Sequence, residues 1–293
     1  MNDMRLRFFS PQIVVAVLLS TSPVLGNPIT DGLVGYWPLN ETSGNTAHDA
    51  SGHGNDGTLV NYAGNSGSWV PGQVGGALHF DAKKGQYITV PSFIQPTTSF
   101  SLSAWVNADS LPMWASIAAN WNAVVGRFHF ENFSNSGLIC DYYAQPGGQV
   151  LEVNHVTEQG APLSLNTWHL MTLVSDGSSV KIYRDGQQTG STTFVGDLIP
   201  APVPQLTIGG HDYPNDPYAP STLGFWDGEI QDVALWTRAL SVSEVASLYQ
   251  TGLTGNPLLR TPDAGGSAFL LAAALVGLFA FSGSLRKFSG ASW

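Results

Sequence analysis

Two acidic residues near the end of the chain have a spacing that suits glycoside hydrolysis. In "DGEIQD" (227–232), Asp227 and Glu229 are separated by one residue and occupy alternate strand positions. Both side chains would therefore project from one face of a β-strand, with Asp232 on the other face. Retaining glycoside hydrolysis uses a nucleophilic carboxylate and an acid about 5–5.5 Å apart, which alternate strand positions supply. A polysaccharide-degrading enzyme is therefore one hypothesis for this chain.

A second acidic stretch, "HDASGHGNDGT" (48–58), has the composition of a calcium-binding loop. Calcium takes about six to eight oxygen ligands from carboxylates, amides and backbone carbonyls. Asp49, Asn55 and Asp56 could supply such oxygens, and the glycines between them allow the loop to bend around an ion. Asp and Asn are also frequent in tight turns, so turn formation alone is the alternative interpretation of Asp49 and Asn55.

The other reactive residue types lack the spacing that catalysis or zinc binding requires. No Gly-x-Ser-x-Gly motif is present, and no ligand spacing such as His-x-x-x-His links His48, His53 and His211. Cys140 is the only cysteine, which excludes an internal disulfide and a cysteine-based metal site. In "GLICDYYA" it alternates with apolar residues, a pattern that favours a packed strand residue over a free nucleophile.

Two loop-like stretches carry aromatic and polar residues suited to a sugar ligand. Sugars stack their apolar faces on aromatic rings, while amides and carboxylates bond to their hydroxyl groups. The stretches are "LPMWASIAANWN" (111–122) and "GGHDYPNDPYAPS" (209–221), and the candidate ligand-binding residues in them are Trp114, Trp121, Asn122, Tyr213, Asn215, Asp216 and Tyr218. Loops on a rigid scaffold often carry function. Packing of the aromatic residues against the edge of the fold is the alternative.

The elements that position these residues are predicted to be β-strands. Apolar residues recur with a period of two over most of the chain, and 33 glycines and 18 prolines favour frequent turns. The sequence predicts strands over 33–39, 86–90, 100–106, 137–143, 168–175, 179–186 and 229–236. Four tryptophans within these patterns are predicted to be core residues: Trp37, Trp105, Trp168 and Trp236.

One helix and one tight hairpin have clear local signals. Ser241 can cap a helix, with Glu244 three residues later as its capping-box partner, and Gly252 is predicted to end that helix. The Asp-Gly pair in "RDGQ" (184–187) predicts a two-residue hairpin between two strands. Alternating strands with such turns indicate two packed antiparallel sheets.

The composition limits the classes of partner. Hydrophobic residues make up 43% of the chain and charged residues 11%, which is enough apolar material for a large core. The net charge is −10 and no basic cluster occurs between residues 27 and 261. Because phosphate binding relies on clustered lysine and arginine, a nucleic-acid partner is excluded.

Five stretches occur in an order that resembles the laminin-G-like, or concanavalin A-like, jelly-roll domains of secreted bacterial proteins. They are "DGLVGYWPLNETSGNTAHDASGHGNDGTLVN", "GQVGGALHFDAKKGQYITVP", "SFSLSAWVNAD", "NTWHLMTLVSDGSSVKIYRDGQQTGS" and "GFWDGEIQDVALWTRALSVSEVASLYQTG". The resemblance covers residues 31–252. It implies an all-β fold, a two-sheet antiparallel jelly-roll β-sandwich with one short C-terminal helix after the last strand. It also places the strand over 229–236 near the closing edge of the domain.

The resemblance further implies a structural calcium ion (Ca2+) that ties the N-terminal segment to the closing strand. Where family members show Gly-x-Ile-Asp-Glu/Asp-Val, this chain has "GEIQDV", so Gln231 replaces the first acid and Asp232 remains. A glutamine offers one carbonyl oxygen and no charge, which predicts a weakened or lost site. The predicted calcium ligands are Asp49, Asn55 and Asp232.

The same fold carries both lectins and glucanases, so the fold alone does not decide the function. Retaining glucanases with this fold carry a Glu-x-Asp-x-x-Glu run on one strand, and this chain has no such run. The predicted function is therefore non-catalytic: an extracellular carbohydrate-binding or adhesion protein with a polysaccharide or other glycan ligand. The alternatives are a glycoside hydrolase or lyase that uses Asp227 and Glu229, and a module that binds a matrix protein.

The two ends of the chain have the features of address signals. Residues 1–26 place two arginines before the apolar run "IVVAVLLS", the pattern of a secretory signal peptide cleaved after Gly26. Residues 257–293 combine "TPDAGGS", an apolar run and a basic pair, and resemble bacterial PEP-CTERM sorting tails, especially the Val-Pro-Asp-Ser-Gly variant. A single-pass membrane anchor is the alternative. The predicted jelly-roll domain, 27–256, is therefore secreted or at the cell surface, with membrane contact through the C-terminal segment at least transiently.

Overall fold

The fold is that of a computed structural model. It describes residues 28–63, 68–95, 99–122, 125–132, 138–145, 152–193, 197–198, 205–211 and 224–259. Internal contacts divide the chain into a short unit, Met1–Asp31, and a main unit, Gly32–Trp293. The predicted signal peptide and the predicted tail beyond residue 259 lie outside the described residues, and the domain limits 27–256 stay a prediction.

The main unit is built almost entirely of β-strands. In the first half these are β1 Leu33–Trp37, β2 Thr46–Ala47, β3 Gly57–Val60, β4 Trp69–Pro71, β5 Gly76–Phe80, β6 Tyr87–Val90, β7 Ser99–Ser110, β8 Ser116–Asn122 and β9 Val125–Asn132. In the second half they are β10 Leu138–Gln145, β11 Glu152–Thr157, β12 Trp168–Asp176, β13 Ser179–Arg184, β14 Gln187–Thr193, β15 Asp197–Leu198, β16 Leu206–Ile208 and β17 Asp227–Trp236. All the strands predicted from the alternating pattern are present.

The strands form two antiparallel sheets that pack as a sandwich, as predicted. Sheet A has the order β14-β13-β12-β7-β17-β5-β4, with β1 also paired to β17. Sheet B has the order β11-β10-β9-β8-β16-β6-β3-β2, with β15 paired to β10. The expectation that the strand over 229–236 lies near the closing edge is wrong. β17 lies in the middle of sheet A, because it pairs with β7 on one side and β5 on the other.

Alternate side chains of the strands fill the space between the sheets. Phe100 on sheet A and Phe128 on sheet B stack with their ring centroids 5.1 Å apart, so the two sheets share one apolar core. Of the tryptophans predicted to be core residues, Trp37, Trp105 and Trp236 are buried. Trp168 is partly buried and packs in a smaller cluster on the outer face of sheet A, the face turned away from the core.

The local signals for the hairpin and the helix start are confirmed. Asp185 and Gly186 both adopt positive φ angles, 53° and 78°, as a two-residue hairpin between β13 and β14 requires. Helix α1, Val242–Leu253, begins at a capping box in which Ser241 and Glu244 bond to each other's backbone amides. Among the described residues, no helix is long and apolar enough to cross a membrane.

The helix continues one residue past the predicted end at Gly252, to Leu253. Gly252 lies inside the last turn of α1, and Thr254 is the C-cap. The glycine is required by packing, because a Cβ atom there would come within 2.5 Å of the Trp105 indole. Tyr249, one turn earlier, stacks on the same indole at 5.7 Å. Helix α1 therefore covers the outer face of sheet A at Trp105.

The capping box makes stability depend on pH in the acid range. Burial favours the neutral carboxyl, but hydrogen bonds from Arg238 and Ser241 outweigh it and lower the pKa of Glu244 from 4.5 to about 2. Since the folded-state pKa is depressed, the contribution of Glu244 is complete above about pH 4.5 and is lost as the pH falls towards 2. We expect Glu244→Gln to lower the free energy of unfolding by about 1–2 kcal/mol at neutral pH.

Urea unfolding between pH 7 and about pH 3 measures this effect, and the difference between wild type and Glu244→Gln should shrink below about pH 4.5. Gln250→Ala, an exposed position on the same helix, is the control and should change stability by less than about 0.5 kcal/mol at every pH. If Glu244→Gln lowered the free energy of unfolding equally at pH 7 and at about pH 3, the ionised Glu244 carboxylate would not be the source of the stabilisation.

Candidate functional site

A row of mainly polar residues crosses the outer face of sheet B. Backbone pairing aligns Thr58, Thr89, Thr207, Ala119 and His129 on five neighbouring strands. Each has a core residue next to it on its strand, so its own side chain projects away from the core. The row runs from the exposed Thr58 to the buried His129, across most of the width of the sheet.

At the buried end of this row lies a group of ionisable side chains, here called the acid–imidazole cluster: His129, Glu131 and His211. The Nδ1 atom of His129 is 3.0 Å from Oε2 of Glu131, and its ring meets that of His211 edge-on at 5.7 Å. The exposed fractions of the three residues are only 5%, 2% and 4%. Phe225 stacks on His211 at 5.8 Å and closes one side of the cluster.

The cluster is set up for hydrogen bonding rather than for cation binding. Burial, together with the nearby His211, holds the pKa of His129 well below its usual range. The imidazole is therefore neutral at neutral pH, and its N–H can donate to the Glu131 carboxylate. Ser116 pairs with Glu131 in register, and its buried hydroxyl has no hydrogen-bond partner among the residues that the structure describes. Such groups can bind the hydroxyls of a ligand or carry out general acid–base chemistry.

The structure brings the bases of the two predicted ligand-binding loops together at this cluster. In the first loop, the Trp114 amide donates to the Asn132 carbonyl at 2.7 Å. Gly224, just after the second loop, donates to the Met113 carbonyl at 3.2 Å. A Cβ atom at Gly224 would lie 1.6 Å from Nε2 of His211, so only glycine fits at this junction. Trp114 is half-buried beside the same junction.

The other predicted ligand-binding residues stay predictions. Trp121 and Asn122 end β8, but their side chains lie outside the described part of the chain. The remaining candidates, Tyr213, Asn215, Asp216 and Tyr218, lie entirely outside the described residues.

Asp49, the first predicted calcium ligand, organises its own loop. Its Oδ1 accepts from the amides of Tyr36 and Ser51 at 3.0 and 2.9 Å, and its Oδ2 accepts from the Asn55 amide at 2.9 Å. Burial would raise the pKa of Asp49, but these bonds and one from the Ser51 hydroxyl lower it. The Asn55 side-chain amide donates to the Val34 carbonyl at 2.7 Å, which leaves its oxygen available. The carboxylate therefore supports a turn whether or not it binds an ion.

Asp232, the third predicted calcium ligand, is joined to strand β1 through Tyr36. Its carboxylate accepts a hydrogen bond from the Tyr36 hydroxyl. Burial raises the pKa of Asp232 to about 6, although the Tyr36 hydroxyl and the Leu258 amide act in the opposite direction. Asp49 and Asp232 thus bind opposite ends of one tyrosine, the amide and the hydroxyl. Gln231 is fully buried, and its side-chain amide donates to the Val74 carbonyl at 3.2 Å.

The carboxylates of the hypothetical acid pair have different surroundings. Asp227 accepts from the Ser110 hydroxyl at 2.5 Å and from the Ala82 amide at 3.4 Å. A bulge between Asp227 and Gly228 interrupts the regular alternation of β17. The charged neighbours of Glu229 are Asp109 on β7 and His79 on β5, and Asp227 is not among them.

Sequence reasoning missed His129 and Glu131. Their stretch, "FHFE" (128–131), alternates apolar and polar residues and therefore has the period of a half-buried strand. That pattern could have identified β9 and placed both polar side chains on its outer face. The contact between His129 and His211, which are 82 residues apart, depends on the tertiary fold.

Taken together, these features define a two-sheet jelly-roll β-sandwich with a polar site on the outer face of one sheet. A family model described as the concanavalin A-like lectin/glucanases superfamily matches residues 81–246, more than half of the chain. The chain belongs to this family. No curated protein matches it.

Solved structures with the same fold include domains of carbohydrate-active proteins. Domain 4 of AbnA, an extracellular arabinanase of Geobacillus stearothermophilus in complex with arabinotriose, is 17% identical with a TM-score of 0.56, over 74% of this chain and 98% of that one. The sialidase of Trypanosoma rangeli in complex with the inhibitor DANA is 19% identical with a TM-score of 0.53, over 76% and 33%. The binding domain of Paraclostridial Mosquitocidal Protein 1 is 14% identical with a TM-score of 0.57, over 76% and 52%. At these identities the similarity establishes the fold.

Proposed function

We propose that this protein is a non-catalytic, extracellular glycan-binding protein whose ligand lies on the outer face of sheet B, at the acid–imidazole cluster and Trp114. The observation that carries the proposal is the position of the cluster. A carboxylate and two imidazoles lie on the sheet face turned away from the core, at the junction of two loops. Burying such groups is unfavourable unless hydrogen bonds offset the loss of water.

A glycan could bond to this face of sheet B through its hydroxyl groups. Each sugar hydroxyl both donates and accepts, so it can donate to Glu131 and accept from Ser116. Trp114 offers an aromatic surface at the same end of the sheet. At the far end of the row, Thr58 is exposed and Thr89 is half-buried, so these two hydroxyls offer further contacts on the same face. The arabinotriose bound to the arabinanase domain supports this class of ligand.

Retention of the purified full-length chain on a panel of insoluble polysaccharides tests the proposal. We expect selective retention on at least one glycan, and weakening by at least about tenfold in Glu131→Gln and in Trp114→Ala, since one lost buried hydrogen bond or ring contact is worth about 1.4 kcal/mol or more. Asp176→Asn and Leu165→Ala, an acid and an exposed apolar residue outside sheet B, are the matched controls and should bind as wild type. Retention on no glycan would contradict the proposal and leave the matrix-protein hypothesis.

Calcium forms a separable part of the proposal, with Asp49, Asn55 and Asp232 as its ligands. Retention that is abolished by EDTA and restored by calcium, but not by zinc, would support a structural calcium ion. Retention that EDTA leaves unchanged would remove calcium from the proposal and leave glycan binding intact.

A polysaccharide-degrading enzyme is the second candidate, and one observation favours it. The neutral His129 imidazole and the Glu131 carboxylate lie 3.0 Å apart, which is the geometry of a general acid–base pair. Among the described side chains of sheet B, Glu131 is the only carboxylate, whereas canonical glycoside hydrolysis uses two. Release of reducing ends from the retained polysaccharide, lost in Glu131→Gln, would establish the enzyme in place of the binding protein.

The location in this proposal rests on the two ends of the sequence. A signal peptide over 1–26 would export the protein, and a sorting tail over 257–293 would attach it to the cell surface or release it into an exopolysaccharide matrix. Both places contain the glycans that the proposed site would bind.

A further inference from the structure

A second group of polar side chains lies on the outer face of sheet A, on the opposite side of the sandwich from the proposed glycan site. Backbone pairing aligns Asn107 on β7, Glu229 on β17 and His79 on β5. Asp109 follows two residues after Asn107 on β7. The three strands lie side by side in the sheet, so the backbone holds these side chains in fixed relative positions.

Three of these side chains converge on one point. One ligand atom from each of His79, Asp109 and Glu229 can be chosen so that all three lie within 4.8 Å of one another. Nε2 of His79 is already 3.2 Å from Oδ2 of Asp109. Within the described part of the chain, this is the only group of three or more such residues that could hold a metal ion.

The charge of this group is not balanced by neighbouring side chains. No described lysine or arginine forms an ion pair with Asp109 or Glu229. Within the described residues, the buried atoms Oε2 of Glu229 and Oδ1 of Asn107 have no hydrogen-bond partner. Glu229 is half-buried and the Asp109 side chain is 42% exposed, and a bound cation would offset the repulsion between these two carboxylates.

We propose that His79, Asp109 and Glu229 form a binding site for a divalent transition-metal ion, with zinc as the best match. Zinc binds imidazole nitrogen and carboxylate oxygen at about 2.0–2.2 Å with tetrahedral geometry, which separates the ligand atoms by about 3.4 Å. Small side-chain rotations from the observed spacing would therefore complete the site. Three protein ligands leave the fourth position to water or to an external ligand.

The chemistry of the ligands separates this site from the predicted calcium site. Calcium requires more oxygen ligands than two carboxylates supply, whereas an imidazole nitrogen suits zinc. Asn107 lies directly opposite Glu229 in the pairing of β7 with β17, where an outer partner of a ligating carboxylate would lie. The ligands come from three strands that are far apart in sequence, so no short ligand spacing marks the site.

Calorimetric titration of the chelator-treated full-length chain with zinc tests the proposal. We expect one zinc ion per chain, not displaced by excess calcium. His79→Ala and Glu229→Gln should each weaken binding by at least about 100-fold, and Asn107→Leu by about tenfold, because loss of an outer partner alone weakens metal sites by about 10–100-fold. The matched control is His48→Ala, which removes a histidine that also pairs with an aspartate, Asp56, but in an exposed position.

The His48→Ala variant should bind zinc as wild type. Absence of stoichiometric zinc binding, or binding that persists unchanged in His79→Ala, would overturn the proposal. Glu229→Gln keeps the size and hydrogen bonding of the side chain, so it provides a second reading if His79→Ala fails to fold. The titration contains no glycan, so its outcome is independent of the proposed glycan site.

Discussion

Replacement of Trp37 by alanine is expected to lower the free energy of unfolding by about 3–5 kcal/mol. Trp37 is fully buried in the core between the two sheets. Its removal would leave a cavity between the two sheets. The surrounding strands cannot fill this cavity, because backbone pairing holds each strand in place within its own sheet. The indole N–H also donates to the Asn55 carbonyl at 2.8 Å, and the variant would lose this bond.

The measurement is urea unfolding followed by tryptophan fluorescence and by circular dichroism, which should give coincident transitions. Val242→Ala is the control, since Val242 is 64% exposed and should contribute less than about 0.5 kcal/mol. A loss below about 1.5 kcal/mol for Trp37→Ala would mean that the core adjusts around the missing ring, contrary to the packing described.

The same substitution connects the core to the predicted calcium segment. Asn55 belongs to the loop that Asp49 organises, and the Trp37 indole anchors that loop through the Asn55 carbonyl. Weak packing at Trp37 would therefore loosen Asp49 relative to Tyr36 and Asp232. The predicted calcium ligands depend on a core residue for their positions.

Replacement of Arg184 by methionine should have a comparable effect, about 3–5 kcal/mol, by a different mechanism. Nη2 of Arg184 is 2.5 Å from Oε2 of Glu158, whose side chain is only 1% exposed. Methionine keeps much of the length of the side chain but removes the guanidinium, so a buried carboxylate would lose its cation. Arg184 also donates to the Ala161 carbonyl at 2.9 Å, and that bond would be lost as well.

Lys181→Met is a matched control for this prediction. Lys181 lies on the same strand and forms an ion pair of 2.7 Å with Asp176, but both side chains are about one-third exposed. Because water and salt screen such a pair, its loss should change the unfolding free energy by only about 0–1 kcal/mol. Equal losses in the two variants would show that burial does not distinguish the two ion pairs.

Features of the fold that depend on neighbours in the chain were predictable from the sequence. The alternation of apolar residues predicted strands such as β7 and β12, because side-chain direction in a strand has a period of two. The Asp185-Gly186 hairpin and the Ser241 cap were predictable because their hydrogen bonds join residues only a few positions apart. The resemblance of five ordered stretches added the two-sheet architecture.

The end of helix α1 and the place of β17 depended on tertiary contacts. Gly252 looks like a helix terminator in the sequence, but it is required where α1 crosses Trp105. The sequence placed strand β17 near the closing edge of the domain, yet β17 lies in the middle of sheet A, between β7 and β5. Trp105, β5 and β7 are all more than 100 residues from the parts of the chain that they contact here.

By itself, the sequence determined the fold class, most of the strands and the helix cap. These follow from periodicity and local hydrogen bonding, which neighbouring residues set. Only the tertiary structure decided which polar residues meet. His129 meets His211, and His79 meets Glu229, because the fold brings together side chains that are 82 and 150 residues apart. No spacing in the sequence encodes those distances.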